Sequence, residues 1–497
     1  MKKNLTLITN ILFNNYFLLF IYIVLVSFVS YHHEVWRDEA DSWLVARDIS
    51  ISGLFQFTRN SGHPSLWYWV LIPFAKLGFP NYTLSVLHLC FAISSVYIIL
   101  FHSTLKKPLR ILLIFGYYFF FEYAVVSRNY AISNFFLFSI AAFYSKRFDK
   151  PIQFGSLIFL LANCNIYATI FASGLGLLFL IEILEGKKFQ LKTLFGLLLI
   201  ILGGVVCFFQ LFPSPERQPS VAGAGAFFHN INYMALPVSL AYSFTPGIIS
   251  KQAFFSFIVL PIGFITLFRV KKILIFYTWV ILILSFVFTF VYMGGHRHAG
   301  FLLIALIFSL WLKKYYEINE KSEPIYESLF EYILSFLKDS EKILNVVITI
   351  SLIISIRYSY QESLKDIRYS FSNAKEVADF MSSNNIDNEN SIVSAFGADR
   401  GKTVLFYLRN IKKFYYPGFD SFGSHMLWNK AMVSGEQLGH QAAIKKTMEK
   451  FSKEDNLFFL SDKKISTETK GSELIYNTKL RNEFIKDEEF YLYRIKP

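Results

Sequence analysis

Residues 31–73 read YHHEVWRDEADSWLVARDISISGLFQFTRNSGHPSLWYWVLIP, and the rest of the chain is arranged around them. The stretch follows directly on a first apolar run. It gathers Glu34, Arg37, Asp38, Glu39, Asp41, Arg47 and Asp48 and interleaves them with Trp36, Trp43, Trp67 and Trp69. Tryptophan concentrates where a membrane meets water. Carboxylates and arginines beside such aromatics, at the end of an apolar run, point to chemistry on a lipid-borne substrate. The plainer reading is a wetted loop with an aromatic belt, and composition alone does not choose between the two.

The surrounding composition sets the class. Of 497 residues, 54% are hydrophobic and 19% aromatic, only 17% are charged, and the mean hydropathy is +0.40. A soluble domain carries about 25% charged residues, so the deficit is the informative figure. Several runs approach the roughly 20 apolar residues that cross a bilayer. The alternation that a membrane barrel needs is absent from those runs. The chain therefore reads as a polytopic α-helical membrane protein.

The net charge of +13 does not imply a nucleic-acid partner. The basic residues sit mostly in short clusters between apolar runs, which is positive-inside topology signalling and makes membrane lipids the surroundings. Cys90, Cys164 and Cys207 are scattered without CxxC spacing, so neither a disulfide framework nor a zinc site is implied. Lys2 and Lys3 precede the first apolar run with no small-x-small cleavage site, which makes it an uncleaved first span.

About eleven spans are expected. They are 12–29, 82–101, 109–123, 131–144, 151–162, 167–184 and 191–212, then one ending at Arg269, one running to Met293, one ending at Lys313 and Lys314, and 343–356. Lys106, Lys107 and Arg110, then Lys146, Arg147 and Lys150, then Lys187, Lys188 and Lys192, then Lys271 and Lys272 mark the inner side. Between spans lie a first outer loop, 31–81, a long outer loop, 213–252, and an inner segment, 313–341. In the inner segment Ile325, Leu329, Ile333 and Leu337 predict an amphipathic surface helix. In the first loop, 38–46 can form a surface helix with Asp38 near its N-cap, and 64–77 a second one opened by Pro64.

Residues 1–356 form the membrane domain on this reading, and 357–497 a small C-terminal α/β domain. There helical runs (373–384, 402–409, 437–451) alternate with strand candidates (391–396, 413–416, 457–460, 473–476, 490–495). The odd span count places this domain on the side opposite the N-terminus. Residues 397–403, GADRGKT, resemble a phosphate-binding loop, but three residues separate the glycines where that loop needs four. They read as a turn entering a helix.

Depth sorts the polar residues. Asp38, Glu39, Asp41, His63, Arg128, Tyr130, His296, Arg297 and His298 all fall in outer loops or at outer span ends. A transporter tends to keep ionisable groups near the midplane, whereas chemistry on a lipid headgroup needs them at the interface. An enzyme is favoured over a transporter or flippase of lipid-linked saccharides, and over a non-catalytic scaffold. Arg128 and Arg297 each stand at the outer start of an inward-running helix. The helix dipole there favours an anion, and the guanidinium adds a bidentate phosphate fork. The alternative is that each snorkels to lipid or pairs with a carboxylate such as Glu122.

Asp38-Glu39-Ala40, the run GHPSLWY at 62–68 and Ser127-Arg128-Asn129-Tyr130 together resemble the GT-C glycosyltransferases, and Arg297-His298-Ala299-Gly300 resembles an uncharacterised bacterial subgroup of them. The nearest group is the bacterial branch similar to protein O-mannosyltransferases and aminoarabinose transferases, and HEVWRDEADSWLVARD is similar to a largely uncharacterised subgroup of it. The resemblance covers the membrane half to two-thirds. It implies a GT-C-like membrane fold, a polyprenyl-phosphate-linked sugar as donor and a glycan, lipid or protein acceptor at the outer face, with Asp38 as base of an inverting transfer. Asp41 close by and His63-Pro64-Ser65 in place of a double proline are departures. Asp38 and Glu39 are then the expected catalytic residues, and Arg37, Asp41, His63, Arg128, Tyr130, Arg297 and His298 the substrate-binding ones. Arg128 and Arg297 face the leaving phosphate, while Glu39, Asp41 and His63 orient groups or hold a divalent metal. No cofactor is certain, and the metal stays open. The expected location is the bacterial inner membrane, with the N-terminus cytoplasmic and the C-terminal domain extracytoplasmic.

Overall fold

The structure, a computed structural model, describes residues 14–217, 231–248, 255–319, 331–465, 471–478 and 488–496. It is mostly helical. Among the described residues, seven helices are long and apolar enough to cross a membrane: Asn15–His32, Thr83–His102, Ile166–Glu185, Leu191–Leu211, Lys271–Val291, His296–Ile318 and Asp339–Arg368. Shorter apolar helices at Pro151–Ala162, Ala235–Phe244 and Ser256–Leu267 lie among them. The set is consistent with a multi-pass membrane protein. Residues 218–230 and 249–252 of the loop 213–252, and residues 325–330 of the expected amphipathic helix, lie outside the described residues.

The site rests on a few elements, labelled in chain order as α1 (Asn15–His32), α2 (Arg37–Asp48), α3 (Ile51–Ser61) and α4 (Leu66–Lys76). The helix α2 begins one residue earlier than its sequence predicts. Trp36 occupies the N-cap position, and Glu39, in the first turn, accepts the Trp36 N–H at 3.2 Å. Asp38 is therefore inside the first turn and is not the cap, so its carboxylate is free for other partners. The helix α3 is unexpected. Leu54 and Phe57 on one face pack against Val45 and Tyr68, and that tertiary contact outweighs a composition containing Gly53 and several polar residues. It stops at Gly62, whose backbone is left-handed (φ 74°), a conformation that glycine adopts without a Cβ clash. The helix α4 starts at Leu66, two residues after Pro64.

Further along come α5 (Thr83–His102), α6 (Lys107–Phe115), α7 (Tyr130–Phe143), α8 (Pro151–Ala162), α9 (Ile166–Glu185), α10 (Leu191–Leu211), α11 (Ala235–Phe244), α12 (Phe255–Leu267), α13 (Lys271–Phe286), α14 (His296–Asn319) and α15 (Glu331–Arg368). Two of them end in π-helical turns: Tyr118–Glu122 follows α6, and Val287–Val291 follows α13. Gly300 lets α14 lie against the first of these, since a Cβ there would strike the Tyr123 hydroxyl and the Tyr118 ring.

Polar contacts sort the bundle into two ends. At one end Leu66 N–H donates to the Asn163 carbonyl (3.1 Å), Asn129 Nδ2 to Cys164 (3.2 Å) and Asn165 Nδ2 back to Asn129 (3.2 Å). At the other end the basic clusters collect. Arg147, read from sequence as one more loop charge, is buried there. It forks onto Glu182 at 2.7 and 2.5 Å, and the Tyr316 hydroxyl also donates to Glu182 at 2.5 Å.

The bundle helix α15 runs without a break to Arg368, past residue 357 where the composition changes. Beyond it lies the C-terminal sheet region, with α16 (Ala374–Ser383), β1 (Ile392–Ala395), α17 (Ala398–Tyr407), β2 (Phe414–Tyr416), β3 (Ser421–Gly423), α18 (Lys430–Gly435), α19 (His440–Lys450), β4 (Leu457–Ser461), β5 (Ser472–Asn477) and β6 (Tyr491–Ile495). The strand order is β3-β2-β1-β4-β6-β5, with β1 parallel to β2 and β4 and the other pairs antiparallel. Strand alternation explains the layers. Phe458 and Leu460 face the core under α16 and α17, while Leu457 and Phe459 face the core under α19. Through α17 this region seats on the first loop: Tyr407 Oη donates to the Val35 carbonyl (3.1 Å) and Asn81 Nδ2 to the Phe406 carbonyl (2.8 Å).

Candidate functional site

Asp38, Arg128 and Arg297, far apart in sequence, meet in space. Arg128 Nη1 lies 2.8 Å and Arg297 Nη2 3.1 Å from Asp38 Oδ2. The Asp38 side chain keeps 22% of its exposure, so the cluster is enclosed but reachable. Burial would push its carboxyl up. The Arg128 and Arg297 charges, with Lys402 behind them, outweigh that and hold it well below the usual carboxylate range.

Local folding aims both arginines. Each follows a π-helical turn and a short corner, and each stands at a helix start: Arg128 just before α7, Arg297 in the first turn of α14. Single π turns recur at functional sites because they offset a helix end from the regular ladder. The Arg128 N–H donates to the Val126 carbonyl (2.9 Å), and the Tyr123 hydroxyl donates to the Arg297 carbonyl (2.6 Å). The Arg297 guanidinium also lies 5.2 Å over the Trp36 ring, a cation–π contact. Neither arginine pairs with Glu122, whose carboxylate accepts from the Tyr117 hydroxyl.

The other expected residues divide. His63, set by the Gly62 turn, leaves Nδ1 buried without a hydrogen-bond partner among the described residues. Burial, then the Arg128 charge, lower its imidazole to about 4, so it is neutral and faces the cluster. Two further buried polar atoms nearby, Ser61 Oγ and Trp36 Nε1, also have no partner among the described residues. Orphaned buried polar atoms around an enclosed charge cluster are what a polar ligand would satisfy. Tyr130 and His298 pack edge to face (6.0 Å between ring centres) as part of an aromatic wall with Tyr167 and Phe301. His298 Nδ1 accepts the Gly295 N–H at 2.9 Å, so it shapes the corner before α14.

Glu39, Asp41 and Arg37 are engaged elsewhere. Glu39 is fully buried. Its Oε2 takes the Trp36 N–H and faces His33 Nε2 at 3.0 Å, and its Oε1 takes the Ser127 N–H. Both Glu39 oxygens are thus engaged by His33 and by backbone N–H groups. Asp41 binds Lys402 Nζ at 3.0 Å and accepts the Met426 N–H at 3.3 Å. Arg37 reaches Asp399 at 3.5 Å and Glu488 at 4.0 Å. Asp41 and Arg37 thus tie α2 to the C-terminal region. Among the described residues no three His, Cys, Asp or Glu side chains come together in a way that suits a metal ion. The donor set does not fit the divalent cation that the sequence left open.

Sequence reasoning missed three participants. His33 bridges Glu39 and Asp366. Lys402, in the stretch read as a turn entering a helix, does lie in α17, but its side chain is 1% exposed and bridges Asp41 and Asp399 (2.9 Å). Burial would lower the Lys402 ammonium, and the two carboxylates outweigh it and raise it, so the charge stays. Glu488 is buried, accepts the Arg37 N–H at 3.2 Å and the Ser372 hydroxyl at 2.5 Å, and is pushed up to about 7 by that burial. The one hint that sequence offered for Lys402 was its place in the imperfect phosphate-loop pattern GADRGKT. No protein-family model and no curated protein matches this chain.

Proposed function

We propose that the chain is an integral-membrane glycosyltransferase that moves a sugar from a polyprenyl-phosphate donor to an acceptor on the extracytoplasmic face. One observation carries the reading: a carboxylate is held between two guanidinium forks in an enclosed, partly exposed cluster at the end of the bundle away from the basic clusters. A leaving phosphate needs the forks, and an acceptor hydroxyl needs the carboxylate. In an inverting transfer, Asp38 takes the acceptor proton as the acceptor oxygen bonds to the anomeric carbon. The bond from that carbon to the phosphate oxygen breaks, and the electron pair leaves with the polyprenyl phosphate. Arg128 and Arg297 stabilise the charge that develops there.

The ion pairs set an order of events. With both forks on it, Asp38 is a poor base. A donor phosphate engages the guanidinium groups, draws them from Asp38 and adds negative charge beside it. Both effects raise the basicity of Asp38 toward the ordinary carboxylate range. Donor binding thus prepares the base, and the acceptor reacts second.

The reading has eleven crossings, with α2, α3 and α4 on the outer surface and the sheet region outside. Exposed Ser52 and Glu473 test the orientation. Cysteines placed there should label with an impermeant thiol reagent in intact spheroplasts, and one at Ser145, in the basic end, should not; the opposite pattern inverts the topology. For activity, purified protein in lipid nanodiscs should release polyprenyl phosphate from a polyprenyl-phosphate sugar when given an envelope extract as acceptor source. No release by the wild type under conditions where the donor binds would sink the reading.

A further inference from the structure

His33 lies on the carboxyl side of α1, outside the expected site residues, and is almost fully enclosed (side chain 1% exposed). Both its ring nitrogens face carboxylates: Nδ1 is 2.9 Å from Asp366 Oδ2, at the far end of α15, and Nε2 is 3.0 Å from Glu39 Oε2. The Phe371 ring packs edge-on against it with centres 4.5 Å apart. A neutral imidazole carries one N–H, so between two ionised carboxylates one of these contacts would set lone pair against lone pair. The arrangement therefore holds two protons on the ring, and the imidazolium bridges two buried carboxylates.

What Glu39 does next gives this bridge a role. Its oxygens accept the Trp36 N–H, which opens α2 and so places Asp38, and the Ser127 N–H, one peptide group before that of Arg128. One carboxylate thus fixes both sides of the Asp38–Arg128 pair, and His33 fixes that carboxylate against α15. The hydrogen-bonded line runs from Asp366 through His33, Glu39 and Ser127 to Arg128 and back to Asp38.

We infer that His33 is a positioning residue for the transfer proposed above, setting through Glu39 where Arg128 meets Asp38. The inference rests on that reading. Misplacement of reacting groups by about 1 Å costs roughly 100-fold in rate. The test uses His33→Leu/Asp366→Asn, which removes one cation and one anion together. It leaves net charge unchanged and Glu39 with its two backbone donors, and it avoids the second unpaired carboxylate, Asp366, that His33→Leu alone would leave. This variant should purify as a folded protein, keep the KM for a polyprenyl-phosphate sugar within threefold, and lose about 30- to 100-fold in kcat. Folded protein with kcat within twofold of wild type overturns the positioning role, as does a kcat loss matched by an equal rise in KM. A second readout is independent of activity. In nitrogen-15-histidine spectra of the wild type at pH 7, the signal missing from the variant should show two protonated ring nitrogens; a neutral ring overturns the bridge. Absence of any transfer by the wild type would sink the functional reading instead, and the two failures are told apart.

Discussion

Asp38→Asn gives a signature that a structural carboxylate would not. In the free chain the carboxylate competes with a donor phosphate for Arg128 and Arg297, at 2.8 and 3.1 Å. An ion pair near 4 Å in a protein-like dielectric of about 20 has a ceiling of about 4 kcal/mol. Partial exposure of all three side chains moves the net value toward that of surface pairs, at most about 1 kcal/mol each. With two pairs, about 1.4 kcal/mol is a fair net competition, which is a tenfold change in affinity. The amide keeps the shape of the carboxylate and withdraws the competing charge. Polyprenyl phosphate, the leaving group alone, should therefore bind Asp38→Asn about tenfold more tightly in nanodiscs. Transfer should fall about 100-fold or more, the low end for losing a general base. Since Asp38 is not the helix cap, no capping bond is lost with the change. Binding no tighter than wild type would mean that Asp38 does not hold the forks against phosphate. Wild-type turnover would remove Asp38 as the base.

Four further outcomes follow from the same contacts. Arg128→Ala and Arg297→Ala should each weaken use of the lipid-phosphate donor, with Lys restoring only part because it keeps charge and loses the fork; full in vitro activity in both alanine variants refutes the phosphate assignment. Asp41→Asn should slow transfer less than Asp38→Asn and loosen the C-terminal region, read as faster proteolysis there, because its partner is Lys402. Glu488→Gln tests the raised carboxyl. Folding with a raised carboxyl binds extra protons, so the wild type is unpenalised below the ordinary carboxylate range, loses stability as pH rises toward about 7, and stays penalised above it. The Glu488→Gln variant should thus match the wild-type melting temperature at pH 4 and exceed it at pH 8, and a difference independent of pH contradicts this. Arg147→Leu should destabilise by about 3–5 kcal/mol through an unpaired Glu182, and adding Glu182→Leu should restore much of it; equal stability of both variants and wild type refutes the buried pair.

The membrane-length apolar runs were readable because length and composition are local properties, and the runs ending at His32, His102 and Glu185 appear as helices near their expected bounds. The C-terminal strands were readable for the same reason: SIVSAF and NLFFLS concentrate β-branched and aromatic residues between turn signals. Residues 51–61 were not, because their helix depends on burying Leu54 and Phe57 against a later segment. The π turns leave no periodic signature at all. Asp38, Arg128 and Arg297 could be nominated one by one from depth and charge, but their convergence belongs to the tertiary structure. Glu39 misled because a carboxylate beside the base looks catalytic in sequence, while in space the backbone N–H groups of Trp36 and Ser127 claim it. Lys402 was hidden by its setting. Judged as a phosphate ligand in a faulty loop it is unconvincing, and its carboxylate partner Asp41 lies far away in the chain, in the first loop.

The most direct measurement is mass spectrometry of lipid-linked sugars and surface glycans from cells of one background carrying wild type or Asp38→Asn at equal membrane abundance. The account predicts that Asp38→Asn cells accumulate a polyprenyl-phosphate sugar and lose the matching sugar from a surface glycan, lipid or protein. Identical profiles in the two strains, in both lipid-linked and surface fractions, would contradict it.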